Sequence, residues 1–172
     1  MVAKVINLYG APGSGKSTIA AGLFFHMKMA GLNVEMAPEW IKSKVFEGSP
    51  YPFKDQLYTF AKQNKKLREL CDKVDFIITD SPLLMSLVYN SQEPKMFNDM
   101  VIEYYNQYDN MNFLLKREHA YHKEGRKQTE QEADIVGEQL EQLLKDYKID
   151  YKTLPSNESM YNILQILYRS MP

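Results

Sequence analysis

Short runs of contiguous apolar residues alternate along the chain with longer stretches in which apolar residues recur every three or four positions. The two patterns predict strands and helices respectively. The first run, residues 4–9, crowds Val5, Ile6 and Leu8 into an extended segment that stops at Gly10. A helix is expected to open near Gly15 and to run through Ile19, Ala20, Leu23, Phe24 and Met27 to a stop at Gly31. Residues 32–37 read as a second strand closed by Pro38. Residues 53–73 read as a helix, with Leu57, Phe60, Ala61, Leu67 and Leu70 at helical spacing. Phe76, Ile77, Ile78 and Thr79 form a third strand that ends at Asp80. Beyond it the pattern gives a helix over 96–108, a strand over 112–115, a helix over 130–147, a strand over 151–154 and a helix over 156–169.

Strand and helix thus alternate about five times, and such alternation implies a parallel sheet covered on both faces. Right-handed crossovers make this a doubly wound α/β fold with a five-stranded, mainly parallel sheet. Its ligand site is expected at the carboxyl ends of the strands. A chain of 172 residues buries a core of its own and is too short for two ordinary domains, so one domain over 1–172 is expected.

Chemistry enters at the first strand–helix junction. Gly10, Ala11, Pro12, Gly13, Ser14, Gly15, Lys16 and Ser17 fit G-x-x-x-x-G-K-[ST] at every fixed position, and Thr18 follows. The glycines let backbone N–H groups approach phosphate oxygens, and the helix that opens there points its positive end at the same oxygens. Lys16 supplies a point charge for the β- and γ-phosphates, and the Ser17 hydroxyl can ligate Mg²⁺. A glycine-rich turn that only connects strand to helix explains neither Lys16 nor Ser17. A P-loop NTPase fold binding ATP and Mg²⁺ is therefore expected.

Charge and cysteine content narrow the setting. Lys and Arg total 21 against 22 Asp and Glu, a net charge of −1, which argues against nucleic-acid binding through a broad basic field. Cys71 is the single cysteine, so neither an intrachain disulfide nor a cysteine-based zinc site is available, and a reducing, cytoplasmic setting fits. His26, His119 and His122 lack metal-ligand spacing. No apolar run is long enough for a membrane span, and the first residues are too short for a signal segment.

Two carboxylates emerge at the expected ligand edge. Asp80, at the end of the third strand, can hold Mg²⁺ through water or take the proton of an acceptor hydroxyl; it can also serve as a turn residue before Ser81 and Pro82. Glu39, just past the second strand, is a candidate base, and Trp40 beside it can stack on an acceptor base or cap the core. Which carboxylate is the base stays open. Gln63, Asn64 and Arg68 on the following helix can hydrogen-bond an acceptor base or sugar, or stand as ordinary exposed groups. After the fourth strand, a charged run over about 116–128 suits a lid, with Arg117 and Arg126 stabilising charge on the transferred group; a merely solvated face is the other reading.

Length favours a small kinase over an oligomeric motor, which needs an extra helical domain, and the N-K-x-D base-reading motif of GTPases is absent. The phosphate loop, Pro38-Glu39, Thr79-Asp80-Ser81, and Arg117 with Tyr121 and Gly125-Arg126 together resemble the small P-loop kinases, in the branch of nicotinamide riboside kinase domains, deoxynucleoside kinases and bacteriophage-encoded relatives. That resemblance implies ATP and Mg²⁺, Asp80 near the metal, Glu39 near the acceptor, and lid arginines on the phosphates. Ser81 stands where deoxynucleoside kinases usually carry an arginine, and the D-G-[FY]-P-R signature of adenylate-type kinases is missing. The expected reaction is transfer of the γ-phosphate of ATP to a hydroxyl or phosphate of a nucleoside- or nucleotide-like acceptor. A nucleic-acid end or a modified base in DNA is an alternative acceptor; it requires Lys42, Lys44, Lys54, Lys65, Lys66 and Arg68 to line one groove, with Trp40 or Tyr51 receiving the base. A P-loop ATPase switch without an acceptor is a second alternative. Sequence leaves the oligomeric state open.

Overall fold

A computed structural model describes residues 2–40, 55–121 and 129–170. Lys42, Lys44, Tyr51, Lys54, His122, Gly125 and Arg126 lie outside the described residues.

The strands are β1 (Lys4–Tyr9), β2 (Val34–Met36), β3 (Phe76–Thr79), β4 (Asp109–Lys116) and β5 (Lys152–Pro155). The helices are α1 (Lys16–Met29), α2 (Gln56–Leu70), α3 (Met85–Val88), α4 (Lys95–Tyr105), α5 (Glu130–Asp146) and α6 (Ser159–Ser170). All five strands are parallel, in the order β2-β3-β1-β4-β5. The central β1 explains why its residues read as one apolar run, because both of its faces are buried. Val5 and Tyr9 enter the layer covered by α2, α4 and α5, whereas Ile6 and Leu8 enter the layer covered by α1 and α6.

Helix termini follow local chemistry. Asp55 caps α2 by accepting the Tyr58 N–H at 2.8 Å, and Thr129 with Glu132 forms a reciprocal capping box at the start of α5. Phe60 of α2 stands edge-on to Phe97 and Tyr104 of α4, with centroids 5.9 and 5.7 Å away, which ties those two helices together.

The expected doubly wound α/β architecture is the one formed. Two strand boundaries and one additional helix differ from expectation for physical reasons. β2 is confined to Val34–Met36 rather than 32–37, because the Leu32 N–H is used by the turn that closes α1, where it donates to the Met27 carbonyl at 3.0 Å. β4 begins at Asp109 rather than 112, because Asn110 and Asn112 side-chain amides pair with Asn7 of β1 at 2.8 and 3.0 Å. The short α3 was not expected; its residues form a brief apolar run too short to show a helical period.

Candidate active site

The β1 ladder pairs Asn7 with Thr79 and runs alongside β4 as far as Tyr9 and Leu114. Chain leaving β1, β3 and β4 therefore emerges at one edge, where Gly10–Gly15, Asp80 and the residues after Lys116 are brought together.

At that edge the phosphate loop adopts the conformation its sequence implies. Gly10 has φ 151°, and a Cβ there would lie 2.3 Å from Ser14 Oγ and 2.8 Å from the Leu115 carbonyl oxygen. Gly15, with φ 85°, is the left-handed residue from which α1 starts, and no side chain caps that end. The first N–H groups of a helix have no partner within it, and an uncapped end leaves them available to an anion. Lys16 Nζ donates to the carbonyls of Gly10 and Ala11, at 2.8 and 3.0 Å, folding back over the loop. Ser14 is fully buried, and its Oγ has no hydrogen-bond partner among the described residues. Ser17 and Thr18 are exposed on the first turn of α1. Cradle, orphaned hydroxyl and adjacent ammonium together fit a polyphosphate.

Asp80 is buried, at 6% exposure, and its Oδ1 accepts the Glu39 N–H at 2.9 Å. The two candidate carboxylate residues are thus fastened to one another. The rest of the segment from Ala37 to Trp40 is held by α2. Gln63 donates its amide to the Ala37 carbonyl at 3.2 Å and to Thr79 Oγ1 at 3.4 Å, and accepts the Trp40 N–H at 3.1 Å. Lys66 Nζ donates to the Pro38 carbonyl at 2.8 Å. Burial lowers the Lys66 ammonium below its ordinary value, opposed by the nearby charges of Asp80 and Glu39. The Trp40 ring meets Tyr58 edge-on at 5.3 Å. Partial burial, with the Glu39 charge adding to it, pushes Tyr89 up to about 12, so its phenol stays neutral beside this corner.

Opposite Asp80, the chain after β4 approaches the loop. Arg117 Nη2 donates to Glu130 Oε1 at 3.1 Å and to Asp134 Oδ1 at 2.7 Å, and its guanidinium lies 5.3 Å from the centre of the Tyr121 ring. Its Nη1 is buried with no partner among the described residues. Lys116 pairs with Glu141. The Glu118 N–H donates to Ser156 Oγ at 3.3 Å, and His119 Nε2 and Ser156 Cβ both stand close to Gly15, within 3.8 and 4.0 Å of where its Cβ would be.

Some expected site residues are placed elsewhere. Arg68 is not brought to this edge. α2 descends from the ligand edge, so that Asn64 accepts the Tyr108 hydroxyl at 2.7 Å just below the start of β4 and the Cys71 carbonyl accepts the Ala3 N–H at 2.9 Å. Arg68 lies between those two contacts, at the amino end of the sheet, lining an apolar groove of about 500 Å³ between α2 and α4. Of the basic residues expected to line a nucleic-acid groove, Lys66 grips the Pro38 carbonyl, Lys65 pairs with Glu69 at 3.5 Å and Arg68 lines the groove between α2 and α4, while Lys42, Lys44 and Lys54 lie outside the described residues.

Other contributors escaped the sequence reading. Gly137 on α5 allows that helix to reach the phosphate loop, since a Cβ there would lie 3.2 Å from Ala11 Cβ. A glycine inside an otherwise periodic helix was the available signal. Ser156 and His119 carried none. Among the described residues no group of three or more His, Cys, Asp or Glu can hold a metal by itself. The Ser17 hydroxyl and the Asp80 carboxylate are the oxygens at this edge that could ligate a Mg²⁺ ion, which usually keeps several waters. Among the described residues, no helix is long and apolar enough to cross a membrane.

Several solved structures share this architecture. The chain is similar to deoxyadenosine kinase from M. mycoides with products dCMP and a flexible dCDP bound, at 18% identity and TM-score 0.55, covering 96% of this chain and 99% of that one. It is similar to thymidylate kinase from Ehrlichia chaffeensis at 12% identity and TM-score 0.66, covering 97% and 100%. Shikimate kinase from Aquifex aeolicus aligns at 19% identity and TM-score 0.53, covering 95% and 96%. These likenesses show the fold, which is the α/β P-loop kinase fold. No curated protein matches the chain by sequence. A family model described as an AAA domain matches residues 5–160, which include the phosphate loop, Glu39, Asp80 and Arg117, and the chain belongs to that AAA domain family.

Proposed function

We propose that the chain is an ATP- and Mg²⁺-dependent phosphotransferase acting on a hydroxyl of a nucleoside-like acceptor. The observation that carries this reading is the hydrogen bond between Asp80 and Glu39, which fixes two carboxylate residues at the edge where the phosphate loop opens. A hydrolase needs only a positioned water. A second acidic residue whose main chain is anchored to Asp80 suits proton removal from an acceptor hydroxyl. The acidic corner also favours an uncharged hydroxyl over an acceptor phosphate, because Lys66, the cation facing both carboxylates, already grips the Pro38 carbonyl.

In this reading the acceptor oxygen attacks Pγ, the bond from Pγ to the bridging oxygen breaks, and ADP leaves with that electron pair. Glu39 takes the hydroxyl proton, while Asp80 holds the Glu39 backbone and, with Ser17, would hold the metal. ATP with Mg²⁺ supplies the transferable group and neutralises its charge. Gly10 to Thr18 cradle the phosphates, Lys16 leaves its carbonyl partners to meet the β- and γ-phosphates, and Arg117 offers Nη1 to the transferred group. Arg126 is assigned the same role from sequence. Trp40 contributes an aromatic face next to the base. We read 1–172 as one kinase domain with its lid over about 116–128, related to the nicotinamide riboside kinase and deoxynucleoside kinase branch and its bacteriophage-encoded members, and working in the cytoplasm.

The decisive experiment offers [γ-³²P]ATP with nucleosides, nucleotides and DNA oligonucleotides to the wild-type protein and to Lys16→Ala. Label on a nucleoside that requires Lys16 supports the reading. Label on a nucleotide phosphate or on DNA overturns the acceptor class. Membership of the AAA domain family favours one rival, an ATPase switch, and release of all label to water would establish it.

A further inference from the structure

The geometry points to α2 as the device that positions the catalytic carboxylate: Gln63 and Lys66, one helical turn apart, clasp the segment from Ala37 to Trp40 and so aim Glu39. This rests on the proposed role of Glu39 as base.

The clasp is built group by group. The Ala37 N–H donates to the Ile78 carbonyl at 2.9 Å, continuing the sheet. The Ala37 carbonyl accepts from Gln63, the Pro38 carbonyl from Lys66, the Glu39 N–H donates to Asp80, and the Trp40 N–H donates to Gln63. Four successive residues outside any strand are each held, by side chains spaced i and i+3 on one helix face and by Asp80. An irregular segment normally leaves its backbone groups to water. Here the polar ends of a buried glutamine, 4% exposed, are committed to the two ends of the segment, which fixes its curvature. Gln63 therefore serves Glu39 through the backbone, instead of reading an acceptor itself.

Lys66 adds charge to position. Among the described residues, charged or titratable groups near Glu39 come from three elements: Lys66 of α2, Asp80 at the end of β3, and Tyr89 just after α3. Lys66 carries the positive charge among these three, and removing it releases the Pro38 carbonyl and disturbs the aim of Glu39.

The test uses the only tryptophan in the chain, Trp40, as reporter. Gln63→Leu, Gln63→Glu, Lys66→Met and Lys66→Arg are compared with a control, Lys65→Met, whose partner is Glu69. Expected for Gln63→Leu and Lys66→Met are about twofold greater acrylamide quenching of Trp40, unchanged affinity for a non-hydrolysable ATP analogue, and kcat lowered about tenfold to hundredfold, the scale of a misplaced reacting group. Lys66→Arg, which keeps a donor for the Pro38 carbonyl, restores most of the kcat lost in Lys66→Met and returns the quenching toward that of the wild type. Unchanged quenching, or a kcat loss that simply follows a loss of Tm, overturns the clasp. Should Gln63→Leu fold poorly, Gln63→Glu, which keeps one acceptor oxygen for Trp40 and loses the donor to Ala37, gives the same reading. If the wild type phosphorylates no acceptor, the proposed function fails, and Trp40 quenching still decides whether the clasp exists.

Discussion

Asp80 accepts the backbone N–H of Glu39 at 2.9 Å, so the residue at the end of β3 fixes the main chain that follows β2. Asp80→Asn retains an oxygen that can accept this N–H but removes the charge available to a metal, whereas Asp80→Ala removes both. The expected outcome is a kcat loss of about 10²-fold or more for either variant, with Trp40 fluorescence unchanged in Asp80→Asn and altered in Asp80→Ala. Equal spectra for the two variants would mean that the hydrogen bond does not organise the segment.

Glu39→Gln separates proton removal from binding. The proposed base contributes in the range of 10²–10⁴-fold typical of a positioned acid or base. Phosphoryl transfer should fall by about that factor, while the dissociation constant of a non-hydrolysable ATP analogue stays within about twofold, because the phosphate loop is built from other residues. A variant that keeps near-wild-type kcat would transfer the base role to Asp80.

Two glycines with positive φ make contrasting predictions. At Gly10 an added Cβ meets Ser14 Oγ at 2.3 Å and the Leu115 carbonyl at 2.8 Å, so Gly10→Ala adds a steric clash to backbone strain. At Gly31, φ 78°, nothing lies within 4 Å. Gly31→Ala should cost about 1–2 kcal/mol, the left-handed penalty alone. Gly10→Ala should cost more and abolish ATP-analogue binding. Chemical denaturation of the two variants, with binding measured in parallel, checks the order.

Both glycines were visible in the sequence, but only one was legible as a site. The phosphate loop could be read because its chemistry is local: eight consecutive residues supply cradle, charge and hydroxyl, and strand and helix flank them. The layered fold was equally legible, since β1 is buried on both faces and each helix shows its apolar side. What could not be read depends on contacts between distant residues. Sequence offers Gln63 as an acceptor ligand or an exposed polar group because an amide on a helix looks available; its partners Ala37 and Trp40 are 26 and 23 residues away. Arg68 was placed one turn and more beyond Gln63 with the same role, but α2 carries it to the other end of the sheet. The polar start of β4 was missed because its stability comes from an amide ladder, in which Asn7 serves both Asn110 and Asn112.

Alkaline pH gives an independent check of the packing at that amino end. Burial pushes the Tyr108 phenol up to about 12, with smaller contributions from neighbouring Cys71 and Tyr104 outweighing the opposing pull of Arg68. The unfolded chain releases this proton near 10, so between about 10 and 12 the folded state holds more protons and stability falls as pH rises. Below 10 the contribution is fully present. Tyr108→Phe removes this term and the hydrogen bond to Asn64, at 2.7 Å. It should lower stability at pH 8 by about 1 kcal/mol and flatten the decline above pH 10, read from Tm against pH.

Arg117 supplies the last prediction, because its two terminal nitrogens are treated differently. Nη2 is engaged by Glu130 at 3.1 Å and Asp134 at 2.7 Å, while Nη1 is buried without a partner among the described residues. A buried donor left unpaired is costly, and two carboxylates on one side hold the planar fork so that the other side faces a fixed direction. An oxyanion arriving over the phosphate loop would satisfy that donor. If it is the transferred phosphoryl group, Arg117→Ala should weaken binding of a non-hydrolysable ATP analogue by about tenfold and of ADP much less, with a further loss in kcat. Arg117→Lys should not rescue either, since one ammonium cannot bridge two carboxylates and an anion in the fixed geometry of a guanidinium. Calorimetric titration with the two nucleotides distinguishes the cases. Equal weakening for both would assign Nη1 to a phosphate nearer the ribose, and unchanged affinities with a lower Tm would make Arg117 solely the tie between β4 and α5.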